Sequence, residues 1–287
     1  MRAAVRTHYG PPEAVRVIDV DRPTPGDGEL LVRVQATTVN RTDCGFRAGK
    51  PRVVRLFSGL RTPKAPVLGC EFAGAVEAVG PGVTSFGVGD RVFGYVEGPF
   101  GGHAEYLTVP ASASVAAIPR EVTFDQAAAA TEGAHYALSF IRWAGTRPGQ
   151  DVLVYGATGA IGSAAVQLLR SMGVRVTAVC DTDRVALVKS LGAERVVDFL
   201  TEDFTQDEQR YDAVFDAVGK SSWGACKGLL KPGGVYLSSE LGPRSENPAL
   251  ALVSAALRGR LMDGKKVAFP FPSHDQKMIQ EVAALLA

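Results

Sequence analysis

Cysteine is scarce in this chain: Cys44, Cys70, Cys180 and Cys226 are the only four among 287 residues, and no two form a C-x-x-C pair. Such scattered thiols argue against a disulfide framework and a cysteine-rich structural zinc lobe, and they suit a reducing cytosol. Charge of one sign is lacking as well. Thirty-one Lys plus Arg against 30 Asp plus Glu leave a net charge of +1. With no basic excess to hold a phosphate backbone, a nucleic-acid partner is not expected. Long hydrophobic runs are missing too. The longest, Pro248 to Leu257, is broken by Ser254 and is about half the ~20 residues a membrane span needs. The opening MRAAVRTHYGPPE has no apolar core of a secretion signal. A cytoplasmic protein with neither membrane nor nucleic-acid partner is the expectation.

Hydrophobic residues at 46% and charged residues at 21% describe a packed chain, long enough for one or two domains. Its two halves differ in texture. Up to about Pro119 the pattern is short β-like runs, Met1–Arg6, Val15–Asp19, Glu29–Ala36, Gly74–Val79, Arg91–Val96, His103–Val109 and Ser114–Ile118, punctuated by Gly and Pro. Many short strands with turn residues between them predict a small barrel or sandwich. The stretch from Asn40 to Pro66 has little periodicity and reads as a long irregular binding loop. From Thr123 a long Ala-rich helical stretch to Trp143 opens an alternation of strand-like and helix-like segments. That alternation predicts a mainly parallel sheet covered on both faces, an α/β fold.

The strongest motif is Val152-Leu153-Val154-Tyr155-Gly156-Ala157-Thr158-Gly159-Ala160-Ile161-Gly162, an apolar strand entering a glycine-rich turn and a helix. Gly156 permits the tight turn, Gly159 a close backbone approach to a pyrophosphate, and Gly162 close packing of helix on strand. The helix N-terminus offers N–H groups and a positive dipole end to phosphates. The spacing is G-x-x-G-x-x-G, so its setting in a βαβ unit carries the weight. Thr158, Ala160 and Ile161 share the turn. Asp181 follows Gly162 by 19 residues, where an acid binds both ribose hydroxyls and repels a 2′-phosphate. Arg184 pulls the other way, toward that phosphate, which leaves NAD and NADP both open. Asp183 reads best as a helix N-cap. Later strands end in Asp216-Ala217-Val218-Gly219 and Ser238-Ser239, further candidate contacts to a cofactor at the carboxyl edge of the sheet.

The run GCEFAGAVEAVGPGVTSFGVGDRVFG (Gly69–Gly94), followed by GGHAEY (Gly101–Tyr106), resembles the medium-chain dehydrogenase/reductase superfamily. The blocks VLVYGATGAIGSAAVQLLRSMG, VKSLGAERVVDF, YDAVFDAVGKS and LLKPGGVYL resemble its zinc-free quinone-oxidoreductase-like branch. The resemblance implies a GroES-like β-barrel catalytic domain over residues 1–119 and a Rossmann NAD(P)-binding domain over 120–287, with the active site in the cleft between them. It further implies NADP(H) or NAD(H) as cofactor, a small carbonyl or quinone substrate, and a homodimer. Zinc-dependent members start their metal site at a Cys in C-x-T/S-D and take a second ligand from G-H-E. Here the segments read Asn40-Arg41-Thr42-Asp43 and Gly69-Cys70-Glu71, so no zinc is expected. Asn40 and Arg41 then fall beside the nicotinamide, and Thr42 matches the hydroxyl that relays a proton in the alcohol dehydrogenases.

Glu132 and His135 are i and i+3 on a predicted helix, next to Tyr136. They read as buried residues satisfied by neighbours, as an acid/base pair at substrate or cofactor, or, with Cys70 and Glu71, as a rearranged zinc site. The expected chemistry is NAD(P)(H)-dependent hydride transfer to or from a quinone, an α,β-unsaturated carbonyl or an aldehyde or alcohol. Donors must then stabilise the substrate oxygen, and Asn40, Thr42, Tyr95 and Tyr136 are the candidates, with His135 beside them. Competing readings are a weakly active or inactive dinucleotide-binding sensor or structural protein, and a zinc-dependent alcohol dehydrogenase. Ser273-His274-Asp275-Gln276 reads as a capping box for a last helix. Relatives continue from there through a return to the catalytic domain. Its apparent absence predicts a truncated or short member with exposed apolar surface near Leu285–Leu286.

Overall fold

A computed structural model describes residues 1–241, 247–256 and 263–287. Two compact units emerge: Met1–Thr131 together with His274–Ala287, and Glu132–Ser273. The first unit holds strands β1 (Arg2–Arg6), β2 (Val15–Asp19), β3 (Glu29–Thr37), β4 (Glu71–Val79), β5 (Arg91–Tyr95), β6 (Tyr106–Pro110) and β7 (Val115–Ala117). Strands β1 and β2 pair as an antiparallel hairpin, and the other five form an antiparallel sheet in the order β6-β3-β4-β5-β7. Burial does not strictly alternate along β3: at the register shift between Leu31 and Val32, Leu30, Leu31 and Val32 are all buried.

Residues 40–66 are not wholly irregular. Helices α1 (Arg41–Ala48) and α2 (Val54–Ser58) lie within them. A reciprocal capping box between Asn40 and Asp43 starts α1, and Gly49 in the left-handed region ends it. The Ala-rich stretch is likewise two helices, α3 (Phe124–Ala129) and α4 (Thr131–Ala144). Helix α3 has its own capping box, Thr123 with Gln126.

The second unit is built on β8 (Asp151–Tyr155), β9 (Arg175–Cys180), β10 (Arg195–Asp198), β11 (Tyr211–Asp216), β12 (Leu230–Ser238) and β13 (Lys266–Ala268). All six pair in parallel, in the order β10-β9-β8-β11-β12-β13. This is the dinucleotide-binding order, whose reversal point falls between β8 and β11. Helices α5 (Ala160–Ser171), α6 (Val185–Ser190), α7 (Trp223–Cys226) and α8 (Asn247–Ala256) connect them. The apolar run Pro248 to Leu257 is expected to form a helix; α8 covers it to Ala256, and Leu257 lies outside the described residues. The central residues of these strands are apolar because both faces of the sheet are covered, and the charged ones sit mainly at the strand ends. In β8, Val152 and Val154 join a core with Ala165, Val166 and Leu169 of α5, while Leu153 joins one with Cys226, Leu229 and Tyr236.

The last helix, α9 (Gln276–Leu286), is capped by Asp275, not Ser273: the Asp275 carboxylate accepts from the Met278 N–H at 2.8 Å. Helix α9 buries Met278, Ile279 and Val282 and packs on β7. Two differences from the expected domain limits follow. The first unit extends past residue 119 to Thr131, because α3 packs on β3, β4 and β5. Residues 274–287 return to that unit, where no return was expected. Leu285 is exposed and Leu286 half-buried. Among the described residues no helix is long and apolar enough to cross a membrane.

Candidate functional site

In the first unit a buried carboxylate gathers four elements. Glu71 opens β4 and is 3% exposed. Its Oε1 accepts from the Thr131 hydroxyl, the first residue of α4, at 2.5 Å. Its Oε2 accepts from the Thr38 hydroxyl, just past β3, and from Asn40 Nδ2 at 3.1 Å. Asn40 Nδ2 also donates to Cys70 Sγ at 3.1 Å, while its Oδ1 accepts from the Asp43 N–H at 2.9 Å. A side-chain amide has two N–H bonds, so Cys70 and Glu71 engage both. Asn40, expected as a donor to substrate oxygen, is therefore a fixed structural link that caps α1.

One turn on, Asp43 is buried and accepts from the Gly69 N–H at 3.0 Å, with His103 Nε2 3.6 Å from its other oxygen. Burial pushes its carboxyl pKa up, opposed by His103 and by the backbone bonds from Asn40 and Gly69. Arg41 is exposed and Thr42 half-buried on the first turn of α1. Tyr95 is buried at the end of β5. Its hydroxyl donates to Glu97 at 3.2 Å, and its ring lies 4.7 Å from that of His274.

In the second unit the candidate residues fall at the carboxyl ends of four neighbouring strands. Strand β8 runs into Gly156, at φ +85°, where a side chain would strike Val218. Gly162 is closed in, since a Cβ there would stand 2.1 Å from the Gly156 carbonyl oxygen. Gly159 is different. It is exposed, no neighbour crowds its would-be Cβ closer than 3.6 Å, and it caps α5 without a side-chain bond. The first helical bond of α5 is from Ser163 to Gly159, so the N–H groups of Ala160, Ile161 and Gly162 have no intrahelical acceptor. Thr158 and Ala160 are exposed beside them, with Ile161 half-buried.

Past β9, Asp181 buries its Oδ1 with no hydrogen-bond partner, and past β12 Ser239 Oγ is in the same state. A buried, unpaired carboxylate oxygen and hydroxyl are costly unless a ligand completes them. Together with the open Gly159 backbone and the α5 N-terminus, they fit the ribose and pyrophosphate of a dinucleotide. Arg184 is exposed. Asp183 is not the expected helix cap: it lies inside the 3-10 turn Thr182–Arg184, and Asp181 is the residue that enters that turn. Past β11, Ala217, Val218 and Gly219 form a turn around Asp216, whose Oδ1 accepts from the Val218 and Gly219 N–H groups at 3.2 and 2.8 Å.

On α4, Glu132 and His135 are buried and Tyr136 is half-buried. Neighbouring Gly133 is needed because a Cβ there would stand 2.5 Å from the Ala160 carbonyl oxygen. Among the described residues no group of three or more His, Cys, Asp or Glu side chains is placed to hold a metal ion.

Comparison with known proteins adds an independent line. Residues 26–120 match the alcohol dehydrogenase GroES-like domain and residues 160–268 the family described as zinc-binding dehydrogenase. The chain is 32% identical over 238 residues to a quinone oxidoreductase of Pseudomonas aeruginosa, covering 80% of this chain and 70% of that one. It is 31% identical over 230 residues to a 2-methylene-furan-3-one reductase of Solanum lycopersicum, covering 77% of this chain and 58% of the relative. A mycobacterial protein solved as its NADPH complex superposes with a TM-score of 0.78 at 27% identity, over 100% of this chain and 87% of that one. The chain thus belongs to the medium-chain dehydrogenase/reductase superfamily, in its quinone-oxidoreductase-like branch, whose members are NAD(P)H-dependent oxidoreductases.

Proposed function

We propose that this protein transfers a hydride between a nicotinamide dinucleotide and a quinone or α,β-unsaturated carbonyl, without a catalytic zinc. The observation that carries the reading is the cradle at the reversal point of the sheet. There the open Gly159 backbone and α5 N-terminus stand with the unpaired buried atoms of Asp181 and Ser239. The N–H groups of Ala160, Ile161 and Gly162 would hold the pyrophosphate. Asp181 would accept from the adenosine ribose, and Arg184 would meet a 2′-phosphate. The turn Ala217–Gly219, Ser239 and Arg41 complete the proposed contacts. When bound, the nicotinamide supplies or takes the hydride.

Negative charge developing on the substrate oxygen needs donors. Asn40 and Tyr95 already direct their hydrogens to Cys70, Glu71 and Glu97. The hydroxyls of Thr42 and Tyr136, both half-buried, and backbone N–H groups are the donors assigned to that oxygen. A conjugated acceptor suits this modest set, because conjugation spreads the charge that a plain carbonyl would concentrate. Asn40 and Cys70, standing where the zinc-dependent pattern places Cys and His, support the metal-free reading. We further propose a cytoplasmic homodimer.

The test is NADPH and NADH oxidation against a panel of quinones and enones, with metal analysis of the same sample. Accelerated oxidation without stoichiometric zinc is expected. Tight cofactor binding with no acceleration across the panel would leave a dinucleotide-binding protein without turnover. Stoichiometric zinc would overturn the metal-free assignment.

A further inference from the structure

Asp216, the last residue of β11, is 0% exposed, yet its carboxylate pairs with no cation among the described hydrogen bonds and ion pairs. Four donors converge on it instead. Oδ1 takes the N–H groups of Val218 and Gly219 at 3.2 and 2.8 Å. Oδ2 takes the Ser221 N–H at 3.1 Å and the Tyr236 hydroxyl at 2.8 Å. Only an acceptor-only group satisfies all four: an amide would present its own N–H bonds to one pair of donors. The carboxylate therefore fixes the path of Ala217–Ser221. Gly219 adopts φ +62°, with Glu240 standing where a side chain would go. Val218 is pressed over the nucleotide turn, its methyl 2.4 Å from the place a Gly156 Cβ would occupy.

We propose that Asp216 is a positioning residue for the dinucleotide site. By folding the 217–221 loop around itself it seats Val218 on the Gly156 turn and aims the loop backbone along the carboxyl edge of β8 and β11. The inference rests on the proposed cofactor contact of Ala217–Gly219. Burial at this point pushes the carboxyl pKa up, against the four donors, so desolvation is a cost that the fold carries for the sake of the loop.

The experiment compares the wild type with Asp216→Asn, Tyr236→Phe, Val218→Glu and Asp151→Asn. NADPH dissociation constants, separate KM values for NADPH and quinone, and melting temperatures are the readouts. Asp151 opens β8 at the amino ends of the strands, away from Asp216, in an ion cluster with Arg175 and Lys231, and reports what general loss of sheet stability does. Asp216→Asn is expected to raise the NADPH dissociation constant about tenfold and its KM in parallel, the effect of one or two lost charge-assisted bonds. The quinone KM should hold within about twofold, and Asp151→Asn should leave NADPH affinity unchanged. Tyr236→Phe, which removes one donor and keeps the carboxylate, should raise the dissociation constant about threefold, and it decides the matter if Asp216→Asn does not fold. Unchanged NADPH affinity in the folded variants, or a loss matched by Asp151→Asn, overturns the positioning role. Wild-type NADPH affinity in Val218→Glu would instead show that the loop does not meet the cofactor, which overturns the underlying reading.

Discussion

Two buried carboxylates organise the two units, and they do so by opposite means. Glu71 is held by side chains, those of Thr38, Asn40 and Thr131, which come from the end of β3, the cap of α1 and the start of α4. Asp216 is held by its own next residues, three backbone N–H groups within five positions, plus one tyrosine. The first arrangement pins distant elements together and is as replaceable as its side chains. The second shapes a local turn, and around it the decisive residues are glycines. Substitutions should therefore fail differently in the two regions: by missing partners near Glu71, by missing space near Gly156.

The largest effect should come from closing that space. Gly162→Val places a Cβ where the Gly156 carbonyl oxygen leaves 2.1 Å, and backbone on backbone cannot give way. We expect a folded second unit to be lost or destabilised by more than ~3 kcal/mol, with NADPH binding abolished, as read by thermal melting and titration. Gly159→Ala is the companion. Its nearest neighbour is at 3.6 Å, so the melting temperature should hold while NADPH affinity falls about tenfold, since the methyl intrudes only where phosphate is proposed to sit. Equal loss of stability in both would erase the distinction between a structural and a ligand-facing glycine.

The next effect belongs to Glu71. Glu71→Ala removes the acceptor shared by the Thr131, Thr38 and Asn40 donors and should cost about 3 kcal/mol. Glu71→Gln retains an acceptor for one of them and should cost roughly half as much. Both should reduce kcat more than they raise the NADPH KM, because α1 and Thr42 are disturbed while the glycine turn is not. A selective rise in the NADPH KM would mean that the two regions are not separable as described.

This contrast also explains what could be read from the sequence. Glycine spacing, an apolar strand before it and a helix after it lie within 11 consecutive residues, Val152 to Gly162, so the nucleotide turn was legible. So was the alternation of strands and helices, which gave the parallel sheet. The Glu71 cluster joins residues 38, 40, 71 and 131, and no periodicity announces contacts at such separations. The motif singles out Asn40, but its partners, and hence its commitment, lie beyond the reach of sequence pattern. A local signal does exist for α1, the Asn40–Asp43 spacing of a capping box, but it is weak in a short stretch rich in Gly and Pro. The return of α9 to β7 is a tertiary choice that its amphipathic pattern leaves open.

Cofactor choice sharpens the comparison within the second region. Asp181 keeps an unpaired buried oxygen, whereas Arg184 is exposed. Asp181→Ala should shift the ratio of kcat/KM for NADPH over NADH upward about tenfold by removing repulsion to a 2′-phosphate. Arg184→Ala should shift it down by a smaller factor, about threefold, because an exposed guanidinium is screened. No shift from either would move ribose recognition away from the end of β9.

The smallest effect is predicted at the amino ends of the same sheet's strands, which carry no proposed chemistry. Asp151 is gripped by Arg175 through two bonds of 2.7 and 2.8 Å and by Lys231 at 2.8 Å. The Arg175 hydrogen bond, joined by Lys231, lowers its carboxyl pKa against the opposing cost of burial. A carboxylate depressed on folding stabilises the native state at pH above its unfolded value, and that contribution is lost as pH falls through the folded value. Asp151→Asn should therefore cost about 1 kcal/mol at pH 7, a modest figure because the arginine is half exposed. The difference from wild type should shrink as pH drops below the ordinary Asp value of 3.8. Denaturant melts at several pH values would check this. A difference that did not shrink at all as pH fell below 3.8, or one accompanied by weaker NADPH binding, would show that this end of the sheet is not the passive support that the contrast with Asp216 requires.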